Sequence, residues 1–209
     1  SREVFDRNKI LSGLHKACEK RYVPTTVLED MVTEIEKELT NKMQREVIEL
    51  PEKIEDQKRR IENCKKDIAN AKKDKTDYNS IPYKEQKAMR EKIYNAVKCR
   101  ENHPEEYFIM KYRGFDIVVP AYMVPRTPKN KDGEEKGSPI PYIMLKANGT
   151  YRVDIESESG ITVRLNNFIS SHVSIDKETK QKEVVPSGLE RRLELYKETL
   201  KQYEVRLKN

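Results

Sequence analysis

Basic side chains recur in pairs along the stretch KRRIENCKKDIANAKKDK, where Lys58/Arg59, Lys65/Lys66 and Lys72/Lys73 stand seven residues apart. On a helix these pairs fall on one stripe, and such a stripe can follow a phosphate backbone, releasing counterions as it binds. The competing reading is a solvated coiled-coil flank, its Lys stems covering an apolar seam and its charges facing Glu190, Glu194 and Glu198. A second candidate set is aromatic. Tyr107, Phe108, Tyr112, Phe115, Tyr142 and Tyr151 lie on expected strands, where they could stack on unpaired bases but are expected to be mostly sheet core. His15, His103 and His172 lie far apart, and Cys18, Cys64 and Cys99 form no CxxC, so no metal site is expected. No GxxxxGK[ST] phosphate loop and no Ser/His/Asp or Cys/His spacing stands out, so no catalytic residue is assigned and a protein that is not an enzyme is expected.

The composition limits what can position these groups. Of 209 residues, 35% are hydrophobic and 37% are charged, which suits long solvent-washed helices with a small packed unit better than a thick core. No apolar run approaches the ~20 residues of a membrane span and no signal peptide is visible, so no membrane partner is expected. An odd number of widely spaced cysteines points to a reduced, cytoplasmic setting. The net charge of +6 permits nucleic-acid contact without requiring it. Residues 1–47 are neutral, with 9 basic and 9 acidic side chains, whereas 48–101 carry 15 basic and 11 acidic ones. Most of the excess therefore sits in the stretch that holds the basic pairs.

Periodicity supplies the elements. Ile10, Leu11, Leu14, Ala17 and Cys18 mark one face of a helix over 5–21, with Asp6 as its N-cap. Pro24, Thr25 and Thr26 open a second helix with Val27, Leu28, Met31, Val32, Ile35 and Leu39 on its inner face, and the two make an αα-hairpin. After Pro51, Ile54, Ile61 and Ile68 fall seven apart with Gln57, Cys64 and Ala71 between them, a heptad run. Near the other end Leu189, Leu193, Tyr196, Leu200, Tyr203 and Leu207 alternate at spacings of four and three. Each run is about 30 Å long and marginal alone, so they are expected to pair antiparallel as two arms, about 50–75 and 188–209. A homodimeric coil is the competing arrangement.

Between the arms, a helix is expected over 84–99, with Met89, Ile93, Tyr94 and Val97 on one face. The period then drops to two. YFIMKYRGFDIVVPAYMV, PYIMLK, YRVDIE and ITVRLNNFI are strand candidates, with turns at Arg113-Gly114 and Asn148-Gly149. The segments 125–139 and 176–183 read as exposed loops. The fold class expected is α+β: an N-terminal helical hairpin, then an antiparallel coiled-coil stalk carrying a small antiparallel sheet of about four strands. The domains are a helical fragment over 1–47 and a second unit over 48–209, its sheet within 107–170.

The stretch REVFDRNKILSGLHKACEKRYV, continued by LEDMVTEIEKELTNKMQREV, resembles the ATP-cone domain in the version found in the bacterial repressor of ribonucleotide reductase genes. That resemblance implies a nucleotide enclosed by a β-hairpin and the following helices, and it associates Glu3, Asp6 and Lys9 with nucleotide contact. A lysine beside a helix start meets phosphate with help from the exposed N–H groups there. The family's first strand with its Lys-Arg pair, and the zinc ribbon that precedes it in the repressor, have no counterpart here, so the segment reads as half a cone. No cofactor is expected, ATP or dATP being the alternative. Residues 49–209 resemble, in the order of LPEKIEDQKRRIENCKKDI, YRGFDIVVPAYM, GTYRVDIESESGITVRLNNFI and LERRLELYKETL, the C-terminal accessory region of large phage and conjugative-element helicase/DNA-methylase proteins. No motor or methylase motif accompanies that order.

These readings converge on a non-catalytic interaction module from a bacterial mobile genetic element, binding nucleic acid or a nucleic-acid-processing protein. Two alternatives stand beside it: an inhibitor of a host defence nuclease, of the anti-CRISPR or antirestriction kind, and an ATP- or dATP-responsive regulator.

Overall fold

The structure is a computed structural model that describes residues 6–18, 23–75 and 77–208. The chain divides into two compact units, Ser1–Lys58 with Glu198–Asn209, and Arg59–Lys197.

In the first unit, helix α1 spans Arg7–Cys18 and helix α2 begins at Thr25. Asp6 starts α1 as expected: its Oδ1 accepts the backbone N–H groups of Asn8 (3.0 Å) and Lys9 (3.1 Å), which satisfies two of the orphan donors of the first turn. Arg7 donates to Glu36 Oε2 at 3.1 Å and ties the two helices of the hairpin together. Of the apolar face expected on α2, Leu28 and Val32 are buried, while Val27, Met31, Ile35 and Leu39 are exposed. Met43, Val47 and Ile48 continue that exposed apolar surface.

Helix α2 does not end before the heptad run. It continues from Thr25 to Lys73, with Pro51 inside it. Proline removes one backbone N–H from the ladder, and the carbonyl it would have met belongs to Val47, on an exposed part of the helix where water can take over. The change of pattern at Pro51 therefore marks a change of surroundings along one helix. Leu50, Ile54 and Gln57 are buried in the first unit.

The second unit is built on a sheet in the order β1-β2-β3-β4, an antiparallel meander of Tyr107–Tyr112, Phe115–Val119, Tyr142–Lys146 and Thr150–Asp154. Alternation is plain in β3 and β4, where Ile143, Leu145, Tyr151 and Val153 are buried between less buried neighbours. Those side chains meet Cys64 and Ala71 of α2, Ile93 and Val97 of helix α3 (Tyr83–Cys99), and Leu189 of the last helix in one core.

ITVRLNNFI, expected as a strand, is helix α4 (Ile161–Ile169). Ile161, Leu165 and Ile169 are buried at a spacing of four and Val163 is exposed, whereas a strand would put Ile161, Val163 and Leu165 on the same face. β-Branched composition suggested a strand, but the burial needed for the core has the helical period. The exposed loop expected over 176–183 is the connection of a hairpin, with Lys182 and Glu183 already on its second strand. Strands β5 (His172–Ile175) and β6 (Lys182–Val185) pair antiparallel, and Asp176 Oδ1 accepts Glu178 N and Thr179 N in the turn between them. Both strands are four residues long and largely exposed, so neither leaves a hydrophobic signature.

Helix α5 (Gly188–Lys208) supplies the second arm. Lys72 pairs with Glu190 at 3.7 Å, while Arg60 lines the same hollow as Tyr196, so the α2 and α5 segments of this unit run in opposite directions. Leu189 is fully buried, and Leu193 and Tyr196 pack against the core. The mixed helix and sheet architecture, with an antiparallel four-stranded sheet, is the α+β class expected.

Candidate functional site

The resemblance singled out the start of α1. Glu3 lies outside the described residues. Asp6 and Lys9 are brought together, but through the backbone: the Asp6 carboxylate occupies the N–H groups of Asn8 and Lys9. A phosphate approaching this helix start would meet a carboxylate where free N–H groups were expected. Lys9, exposed on the first turn, remains as the cationic group at this point. Arg7 cannot take that role without leaving Glu36.

The basic stripe is divided among several partners. Lys58 pairs with Glu55 at 3.2 Å and Lys65 with Glu62 at 3.3 Å, both within α2 at i,i+3. Lys72 reaches Glu190 of α5, and Arg59 is engaged as well. Lys66 and Lys73 are exposed. Glu194, expected opposite the stripe, pairs instead with Lys197 of its own helix. The aromatic set also divides. Tyr112, Phe115 and Tyr151 are core, Tyr142 is half-buried beneath the Arg152 guanidinium at 3.8 Å, and Tyr107 and Phe108 are exposed on edge strand β1.

The polar residue that sequence patterning missed is Asp67, 1% exposed on the sheet side of α2. Its Oδ1 accepts Asn148 N (3.0 Å) and Asn148 Nδ2 (2.8 Å), and its Oδ2 accepts Gly149 N (2.8 Å) and the Tyr151 hydroxyl (2.6 Å). Four donors fill the acceptor sites of a carboxylate, so Asp67 has none left for a ligand. It is a structural joint. It also shapes the β3–β4 connection, expected at Asn148-Gly149: residues 147–149 form a three-residue loop closed by Ala147 N donating to Gly149 O at 2.9 Å. A Cβ on Gly149 would lie 2.4 Å from the Tyr151 hydroxyl, so a side chain there would push Tyr151 off Asp67. Burial, and then donation to Asp67, drive the Tyr151 hydroxyl far above its usual pKa and keep it protonated.

A second buried joint surrounds Arg113. Its side chain is 6% exposed, lies 4.1 Å over the Tyr78 ring, donates to Asn166 Oδ1 and Ser170 Oγ, and faces Asp74 at 3.6 Å. Tyr112 donates to the same Asn166 oxygen at 2.7 Å, and burial first pushes its hydroxyl pKa up to about 12. Cys64 is buried with its Sγ 3.4 Å from Leu189 O, and desolvation raises its pKa, which suits a packing thiol rather than a nucleophile. Among the described residues no group of three His, Cys, Asp or Glu is placed to hold a metal ion, and no helix is long and apolar enough to cross a membrane.

Comparison with known proteins bears on the first of these regions. The family profile of the ATP cone domain matches residues 1–71, well past the 47 residues that carried the resemblance. The transcriptional repressor NrdR of Thermoanaerobacter sp. (strain X514) is 59% identical over 46 residues, 22% of this chain and 29% of the repressor. NrdR of Heliobacterium modesticaldum is 57% identical over 47 residues and that of Clostridium botulinum 51% over 47, each match covering 22% of this chain and 31% of the relative. This chain thus spans under a third of the length of the curated relatives it matches. No solved structure matches it. What the comparisons establish is a likeness of residues 1–71 to the ATP cone domain, carried in its first part by transcriptional repressors.

Proposed function

We propose that this chain is a non-catalytic regulatory module that responds to ATP or dATP through its first 71 residues. The observation that carries the reading is the ATP cone match over 1–71, with repressor identity of 51–59% in the segments aligned. The exposed Lys9 at the start of α1 suits a phosphate contact, and the Asp6 cap fixes the helix that presents it. Helix α2 runs from this segment into the second unit without a break, so a nucleotide that orders the first turns of α2 acts on an element both units share. In this reading the α+β unit carries the interaction with a partner macromolecule.

The test is calorimetric titration of the full chain with ATP and with dATP. Saturable binding with a Kd on the order of 10 μM, weakened about tenfold by Lys9→Ala, is the expected result. Heats indistinguishable from dilution for both nucleotides would reject it.

A second reading, nucleic-acid binding through the basic stripe, draws on the exposure of Lys66 and Lys73. It predicts affinity for a duplex of about 30 base pairs that falls steeply as salt is raised. The further link to mobile-element proteins and to inhibitors of defence nucleases rests on motif order in residues 49–209 alone, and nothing in the geometry favours it over the regulator.

A further inference from the structure

A gathering of five arginines in the α+β unit lies away from the stripe. An open hollow of about 370 Å³ is lined by Arg152 of β4, Arg164 and Asn167 of α4, Arg191 and Arg192 of α5, and Arg126 from the loop after β2. Three features hold these groups there. The loop is pinned where Arg126 pairs with Ile140, with Ile140 N donating to Arg126 O at 2.9 Å. Arg152 lies between the buried Tyr151 and Val153 on β4, and its guanidinium stacks on Tyr142. Helices α4 and α5 meet at Gly188, where a Cβ would stand 2.2 Å from the Phe168 ring, so only glycine lets Phe168 pack against the start of α5.

The charges in this hollow are not balanced. Arg152 Nε donates to Asp154 Oδ1 at 2.9 Å, and Arg164 pairs with Glu156. Among the described residues Arg126, Arg191 and Arg192 form no ion pair, so five guanidinium groups less two carboxylate partners leave three positive charges. In addition, Arg152 Nη2 is buried and has no hydrogen-bond partner. Such a nitrogen needs an acceptor, and a guanidinium fork is matched to the paired oxygens of a phosphate. Like charges gathered in one concave, partly desolvated place raise the local concentration of anions.

We propose that this hollow is a phosphate-binding site, taking neighbouring phosphate groups of a phosphodiester strand or of a free oligophosphate. The volume is at the small end of ligand sites, which run from about 300 to 1,000 Å³, and exceeds what a single phosphate needs. Arg152 and Arg164, half-held by their carboxylates, orient one phosphate, and the exposed Arg126 and Arg191 engage the next. The site lies wholly within Arg59–Lys197 and does not rest on the reading of residues 1–71.

The full chain is titrated with a labelled single-stranded oligothymidylate of about 15 nucleotides, followed by anisotropy, and separately with tripolyphosphate, followed by calorimetry. The variant Arg126→Ala/Arg191→Ala changes two exposed side chains. It should weaken binding of at least one probe about tenfold or more with the thermal midpoint unmoved, and Arg191→Glu alone should do the same. Loss confined to the oligonucleotide identifies a strand as the ligand, and loss confined to tripolyphosphate identifies a free phosphate compound. Absence of binding of both probes at low salt, or affinities in both variants within about twofold of the parent, would overturn the site.

Discussion

The two halves of helix α2 use their apolar side chains differently. From Thr25 to Ile48, Leu28 and Val32 are covered, while Val27, Met31, Ile35, Leu39 and Met43 lie exposed along a row with a period of four. From Arg59 to Lys73, Cys64 and Ala71 are buried in a core shared with a sheet and three further helices, Ile68 packs against it, and Asp67 adds a closed set of four hydrogen bonds. One helix therefore passes from a segment that carries a long exposed apolar row to a segment fixed by long-range contacts. The lesson is that local stability should differ sharply along a single element. In the regulatory reading proposed above, nucleotide orders the loosely packed end of a helix that both units share, while the core at its other end stays closed.

Breaking the tight half should have the largest effect. Asp67→Ala leaves the N–H groups of Asn148 and Gly149 and the Tyr151 hydroxyl without their acceptor inside the unit, and should cost about 3–5 kcal/mol. A fall of the urea midpoint with an unchanged m-value is the expected signature, and a loss below about 1 kcal/mol would show that water replaces the carboxylate freely. Leu28→Ala tests the loose half. It should cost about 2–4 kcal/mol of local stability and deprotect α1 in amide exchange, while the sheet amides keep their rates. Equal deprotection of β3 and β4 would mean that the two halves unfold together.

Gly188→Ala sharpens the same contrast from the α5 side. The Phe168 ring must shift to admit the methyl group, at a cost of about 1–3 kcal/mol felt in the α+β unit alone. The pH dependence should also separate the halves. Tyr112 has its pKa raised from 10.0 to about 12 in the folded state, so the unfolded chain loses this proton first. Its contribution is fully present below pH 10 and is lost as pH rises from 10 towards 12, and Tyr151, shifted in the same direction, extends the loss. Unfolding of the α+β unit should become easier over that window, with Tyr112→Phe showing a shallower slope. The smallest effect is expected at the stripe. Lys65→Gln removes an exposed i,i+3 pair with Glu62 and should change stability by less than about 0.5 kcal/mol.

What the sequence made legible follows from this same division. The heptad seam was readable because burial at Ile54, Ile61, Cys64 and Ala71 repeats with a local period. Helix α3 and strands β1 to β4 were readable for the same reason. Asp67 was not: an aspartate beside a seam reads as a solvated flank until the loop that covers it, 81 residues later, is in place. The arginine hollow was equally hidden, since its side chains come from a loop, a strand and two helices and share no spacing. Helix α4 was misread because Ile, Val and Thr favour strands locally, and the core decided otherwise. At the start of α1 the resemblance pointed to phosphate contact, but Asp6 occupies the N–H groups such contact would use.

Amide exchange of the full chain with and without saturating ATP tests the central claim most directly. Protection should rise in α1 and in the first half of α2, where packing is sparse, and stay constant in the amides of β3 and β4. Exchange that is unchanged in Asp6–Ile48, or that changes only within the sheet, would contradict a nucleotide response seated in the cone-like segment.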